Sequence, residues 1–208
     1  MLGPPGAGKG TQAERFARER AVPRISTGDI LREAVQLGTP MGRAAKVVMD
    51  SGRLVGDDVV IGIIRERLAR PDTTRGFVLD GFPRTVAQAD ALDGLIDEQA
   101  PLVIVAIEVP EETLVRRLSI RRICKVCGWN ATPGAATCQR CGGELIQRRD
   151  DDDAVVRERL SVHRLETGPL VAHYRARDTF RSVNGDQPLE SVAADLSAAV
   201  NAVLGGRS

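Results

Sequence analysis

The stretch from Gly3 to Thr11 constrains this chain more than any other. Gly3-Pro4-Pro5-Gly6-Ala7-Gly8-Lys9-Gly10-Thr11 has the Gly-x4-Gly-Lys spacing of a loop that wraps backbone N–H groups around an anion. Its glycines permit close approach, and the helix that follows adds its positive end. The residues after Thr11 are rich in Ala, Glu and Arg and supply such a helix. Lys9 is placed to reach the β- and γ-phosphates of a ligand. One position departs from the general motif: Gly10 stands where a metal-binding Ser or Thr is usual, and Thr11 comes one later.

Beyond the loop, short apolar runs rich in Val and Ile alternate with longer stretches of helical period, the pattern of an α/β chain with a parallel sheet covered by helices. Strands are expected near Pro23–Ser26, Phe77–Asp80, Leu102–Glu108 and Phe180–Asn184, each followed by a helix, with a last helix over Leu189–Val203. Between Ser26 and Val55 the pattern is wholly helical, with Thr27 expected as the N-cap and Gly38-Thr39-Pro40 dividing two amphipathic runs. This reads as an inserted helical lobe. A second insert follows at Ile123–Gly143, where helical period is lost. Residues 116–149 hold eight basic side chains against the single Glu144. The acidic run Asp150–Asp153 is expected to open a long helix, where carboxylates complement the macrodipole, or to bond this insert to the core. Gly168-Pro169 should break or kink that helix.

The 208 residues carry a formal charge of +1, which excludes a globally basic nucleic-acid coat and an acidic disordered tail. Only three of 29 basic residues are lysine (Lys9, Lys46, Lys125). The rest are arginines, whose two-pronged guanidinium reads phosphate, so a phosphorylated substrate is expected. The longest apolar run, Leu102–Ile107, is too short to cross a bilayer, and no export signal is evident, so a soluble cytoplasmic protein without a membrane partner is expected. Four cysteines stand as C-x2-C-x10-C-x2-C (Cys124, Cys127, Cys138, Cys141), each second one followed by glycine. That is the spacing of a zinc knuckle, and four thiolates would make the metal structural, because no coordination position is left open. His163 and His173 read as ordinary helix residues.

Together the motifs resemble those of adenylate kinases. Residues 3–12 look like that family's opening, where a glycine at position 10 is usual. Ile25-Ser26-Thr27-Gly28-Asp29-Ile30-Leu31-Arg32 resembles its nucleotide-monophosphate segment, Gly52-Arg53-Leu54-Val55 the end of that lobe, and Leu79-Asp80-Gly81-Phe82-Pro83-Arg84-Thr85 with Gln88 its central signature. Arg148-Arg149-Asp150-Asp151 and Arg157-x-Arg159-Leu160 resemble the segment leaving its lid, and residues 138–145 the second half of the zinc lid found in one bacterial subgroup. The resemblance implies a phosphate-loop parallel-sheet core with helices on both faces (residues 1–25, 56–117 and 154–208), a helical AMP-binding lobe (26–55) and a zinc-bound lid (118–153). It implies reversible, Mg²⁺-dependent phosphoryl transfer, ATP and AMP giving two ADP, by a monomer.

Residue by residue, the resemblance implies that Gly6, Ala7, Gly8, Lys9, Gly10, Thr11, Arg117, Arg121 and Gln187 hold ATP. AMP would meet Thr27, Arg32, Arg53, Leu54, Val55, Gly81, Phe82, Pro83, Arg84, Gln88, Arg148 and Arg159, with Thr27 and Gln88 reading its adenine. Lys9, Asp80, Arg84, Arg121, Arg148 and Arg159 would carry the chemistry, Asp80 by organising water on Mg²⁺ or, more simply, by capping the next turn. The chain departs from the family in two places. A full buried strand normally precedes the loop, whereas only Met1 and Leu2 do so here, and an upstream start is the simplest expectation. The stretch between the cysteine pairs is also short, with Trp129-Asn130-Ala131-Thr132 where Tyr-His is usual, which bears on donor choice. Three rival readings stand beside this one: a kinase of another monophosphate or with another donor, a zinc-knuckle nucleic-acid-binding module, and an inactive relic.

Overall fold

In the computed structural model, which describes residues 1–96 and 100–206, the phosphate loop runs directly into a helix. The elements in chain order are α1 (Lys9–Arg20), β1 (Arg24–Ser26), α2 (Thr27–Gln36), α3 (Pro40–Asp50), α4 (Asp57–Leu68), β2 (Val78–Asp80), α5 (Val86–Asp93), β3 (Ile104–Glu108), α6 (Glu111–Ser119), β4 (Ile123–Cys124), β5 (Leu145–Ile146), α7 (Asp153–Val162), α8 (Gly168–Arg175), β6 (Phe180–Asn184) and α9 (Leu189–Gly205). The four expected strands are present, each parallel to its partner. β1 pairs with β2, Ser26 opposite Asp80, and β3 pairs with β6, Ile104 opposite Phe180.

Met1 and Leu2 lie between these two pairs. The Met1 amino group donates to the Leu79 carbonyl at 2.8 Å, while Leu2 bonds to Val105 and Ile107 of β3 at 2.8 and 2.9 Å. The first two residues thus occupy the central strand position that the resemblance implied. Burial lowers the pKa of that amino group to about 6, Asp80 opposing the shift.

Side chains of β3 alternate between two apolar layers, as the period of a strand requires. Val105 and Ile107 pack with Leu114, Leu118, Leu160 and Leu196 from α6, α7 and α9. Ile104 and Ala106 face the other way, with Ala89, Leu170 and Tyr174 from α5 and α8. Helices therefore cover both faces, and the strand ends Ser26 and Asp80 come out side by side next to the phosphate loop.

Three local expectations are corrected. Ser26, not Thr27, caps α2: its Oγ accepts from the Asp29 N–H at 3.3 Å. The acidic run does not open a helix as one unit, because Asp150 and Asp151 sit in a short 3-10 turn at Arg149–Asp151 and Asp152 caps α7. α7 also ends earlier than Gly168-Pro169. It gives way to a π-type turn at His163–Thr167, and α8 then starts at Gly168, where the N–H that proline lacks is not needed.

The helical lobe depends on one close crossing. A Cβ on Gly42 of α3 would lie 2.0 Å from the Ala34 carbonyl oxygen of α2, so no larger residue fits without moving backbone. Gly42→Ala is therefore expected to destabilise the lobe by about 1–3 kcal/mol, the usual cost of overpacking. Amide hydrogen exchange should show faster opening confined to residues 26–55, and unchanged protection there would refute the account.

Candidate active site

Gly6 and Gly8 adopt φ of 85° and 90°, which let the loop turn tightly before α1 begins at Lys9. Ala7 is turned into the core beneath the loop, and Gly10 and Thr11 lie in the first turn of the helix. The Lys9 ammonium folds back over the loop, donating to the Gly3 and Pro4 carbonyls at 2.6 and 2.8 Å. Burial lowers its pKa to about 7; Asp80 opposes, and Arg84, Arg159 and Arg121 push further down. Asp80, at the end of β2, pairs with Arg24 Nη2 at 2.6 Å.

One cavity opens beside this loop. Lys9, Thr27, Arg32, Arg53, Leu54, Val55, Gly81, Pro83, Arg84, Gln88, Arg148 and Arg159 all line it, so residues far apart in sequence share one wall. Phe82 is the exception among the residues implied for AMP, because its ring is fully buried in the core under β2. Thr27 Oγ1 donates to the Gly81 carbonyl at 2.9 Å. The Gln88 amide accepts from the Arg84 N–H at 2.8 Å and donates to Asp57 Oδ1 at 2.7 Å. Each of these amide atoms keeps only one further bond for a ligand.

Three arginines are held by two aspartates, Arg148 and Arg159 in the cavity wall and Arg121 outside its lining. Arg121 Nε donates to Asp151 Oδ2 at 2.7 Å, and Arg159 Nη1 to Asp151 Oδ1 at 3.0 Å. Arg148 Nε donates to Asp150 Oδ1 at 2.8 Å. The Asp151 side chain is wholly buried. Burial raises the pKa of Asp150, but Arg148 and Arg159 outweigh it and hold the carboxyl below the ordinary carboxylate range. Burial pushes Arg84, Arg32 and Arg121 down and takes Arg159 to about 10. All four stay charged at neutral pH and concentrate positive charge in one partly desolvated place.

Arg117 and Gln187 stand apart from that cavity. Arg117 donates to the Gly185 carbonyl at 2.9 Å and Gln187 to the Asn184 carbonyl at 3.0 Å, around the turn between β6 and α9. Sequence reasoning missed three residues: Arg24, Asp57 and His163. His163, read from sequence as an ordinary helix position, lines the cavity with a buried Nε2 that has no partner among the described residues. Its pKa falls to about 4 through burial, then through Lys9 and Arg84. Nothing in helical period marks it. His173 lies outside the cavity, against Tyr174 and Arg177.

The four cysteines converge beside the β4–β5 hairpin, their Sγ atoms all within 4.8 Å of one another. Three of the separations are 3.4, 3.4 and 3.6 Å, too long for a disulfide. A tetrahedron of thiolates about 2.3 Å from zinc has edges of about 3.8 Å, so the donor set fits that ion. Apart from the buried Cys124 and Cys138, residues 125–143 are partly or fully exposed.

A cationic phosphate loop facing arginines across a cavity, beside a carboxylate at a strand end, defines the class as a phosphotransferase of the phosphate-loop type. The adenylate kinase family model matches residues 1–179. The chain is 47% identical to the adenylate kinase of Moorella thermoacetica over 92% of each chain, and 47% identical to that of Archaeoglobus fulgidus over 95% of each. It is 48% identical to that of Desulfitobacterium hafniense over 94% of each. The chain belongs to the adenylate kinase family, whose members are nucleoside monophosphate kinases. No helix among the described residues is long and apolar enough to cross a membrane.

The depressed Lys9 pKa has a consequence at alkaline pH. At pH 8 the free site holds Lys9 largely neutral, whereas a bound polyphosphate restores its positive charge, so binding takes up a proton from the buffer. Calorimetry at pH 8 in buffers of different ionisation heat should report uptake of roughly one proton, shrinking as pH falls through about 7 and nearly gone by about pH 6. The Lys9→Met variant should show none, and buffer-independent heats in the unaltered chain would overturn the assignment.

Proposed function

We propose that the chain catalyses the reversible, Mg²⁺-dependent transfer of the terminal phosphoryl group of ATP to AMP, giving two ADP. The observation that carries this reading is the shared cavity of Lys9, Thr27, Arg32, Arg84, Arg148 and Arg159. Phosphoryl transfer needs two polyanions in line, their charge neutralised and water kept out, and little covalent chemistry from the protein. Lys9 and the loop N–H groups of Gly6, Ala7, Gly8, Gly10 and Thr11 would hold the donor phosphates. Arg121 and Arg148 would meet them from the lid. Arg32 and Arg84 would hold the AMP phosphate, and Arg159 would bridge the two reacting groups.

Mg²⁺ brought in with ATP supplies neutralisation of the phosphate charge; Asp80, beside Gly10 at the end of β2, is the carboxylate placed to hold its water. Thr27 and Gln88 would meet the adenine of AMP, with Arg53, Leu54 and Val55 closing over it and Gly81, Phe82 and Pro83 shaping the floor. Arg117 and Gln187, near Gly185, would serve the donor adenine. The lobe at 26–55 and the lid at 118–153 would close on the core at 1–25, 56–117 and 154–208 to exclude water. Thiol ligands suit a reducing cytoplasm.

Lys9→Ala and Arg84→Ala should each lower kcat about 10²–10³-fold, because each removes charge stabilisation developed in the transition state. A coupled assay with Mg²⁺, ATP and AMP measures this, and turnover equal to that of the parent chain would refute the roles.

The four cysteines would hold one structural Zn²⁺. Cys124→Ser and Cys138→Ser, at the two buried ligands, should release the metal and lower Tm, with activity at low temperature largely kept. Elemental analysis finding no zinc in the parent chain, together with unchanged melting of the variants, would exclude the site.

A further inference from the structure

Arg24 stands at the start of β1 and makes three ion pairs to three different elements. Its Nη2 is 2.6 Å from Asp80 Oδ2 on β2, and its Nη1 is 2.9 Å from Asp29 Oδ2 on α2 and 3.6 Å from Glu14 Oε2 on α1. The Arg24 side chain is 20% exposed and that of Asp80 10%, so the pair is only weakly screened by solvent. The pair also lies against the phosphate loop. A Cβ on Gly10 would lie 3.3 Å from both Arg24 Nη2 and Asp80 Oδ2. Gly10 occupies the place where phosphate loops generally carry a Ser or Thr whose hydroxyl binds Mg²⁺. The missing side chain thus leaves the Arg24–Asp80 ion pair against the first turn of α1.

We propose that Arg24 is a positioning residue for Asp80, a built-in counter-ion that competes with the nucleotide's divalent cation for that carboxylate. With the site free of nucleotide, Arg24 neutralises Asp80 and fixes its direction. When the metal arrives with the donor, the carboxylate must turn part of its charge to the metal's water, and the guanidinium keeps its hold on Asp29 and Glu14. Arg24 therefore weakens the metal's contribution to donor binding while keeping Asp80 aimed at the place where the metal is needed. The inference rests on the reading of Asp80 as the carboxylate that holds water on Mg²⁺.

The opposite signs expected for charge competition and for structural damage make the test decisive. The affinity of the β,γ-imido analogue of ATP is measured by calorimetry with and without Mn²⁺, and the ratio of the two dissociation constants gives the metal's contribution. Arg24→Gln should raise that ratio about tenfold, the scale of coupling lost with one close, poorly solvated charge pair. Arg24→Lys, which keeps the charge, should stay near the parent value. Asp80→Asn should bring the ratio close to one, and adding Arg24→Gln to it should change nothing more. Should Arg24→Gln fail to fold, Arg24→Met, also uncharged, carries the same expectation. A ratio unchanged or lowered by neutralising Arg24, with Asp80→Asn still lowering it, would overturn the role of Arg24 alone. A ratio unchanged in Asp80→Asn would remove the reading of Asp80, and the proposal with it.

Discussion

An excess of buried positive charge at one end of a parallel sheet governs this structure. Lys9, Arg32, Arg84, Arg121, Arg148 and Arg159 converge there, and for each of them burial is the first influence on the pKa. Cations crowded at low dielectric raise each other's energy, and the free chain offsets that repulsion only in part. The offset comes from Asp80 on the loop side and from Asp150 and Asp151 on the lid side. A site with too few internal anions is completed by an external polyanion. Each phosphate oxygen bound there would relieve repulsion between cations contributed by different parts of the chain.

The two lid-side aspartates show how the imbalance is controlled. Asp151, with no exposed side-chain surface, accepts from Arg121 and Arg159 together, and Asp150 holds Arg148. Arg159 reaches both carboxylates, but removing Asp151 would strip Arg121, and removing Asp150 would strip Arg148, of the carboxylate that holds it, a larger loss than any surface pair could produce. The arginines are therefore fixed in direction before a ligand arrives, and electrostatic catalysis requires such preorganisation. The acidic run serves this geometry first. Helix capping falls to Asp152, one residue further along.

What could be read from the sequence was local. The phosphate loop, the four strands and the cysteine spacing are each written in consecutive residues, and the structure places all of them where periodicity and glycine spacing put them. Misreadings arose where a neighbour distant in sequence decided the outcome. Thr27 lost the cap to Ser26 because its hydroxyl is drawn to Gly81, across the β1–β2 pair. The Gln88 amide is held by Arg84 and Asp57 before any ligand arrives, and Asp57 lies 31 residues away in sequence. His163 reaches the cavity because a π-type turn alters helical register after α7, a shift that no apolar pattern announces. Arg24 looks like any arginine beside a strand until β1 and β2 are paired in register and Asp80 is found next to it.

The lid illustrates a different limit, set by size. Residues 123–146 offer two short strands, β4 and β5, and little buried apolar surface, far less than a segment of that length needs to order itself. Cys124 and Cys138 are almost fully buried while Cys127 and Cys141 are exposed, so two of the thiols form much of its interior. A metal held by four thiolates can substitute for an apolar core, because its binding free energy becomes folding free energy. The knuckle presents Arg140, seated over the Trp129 ring, 3.8 Å from Glu14 on α1. Glu14 in turn meets Arg24, which meets Asp80, so a line of charge pairs runs from the lid to the carboxylate beside the phosphate loop.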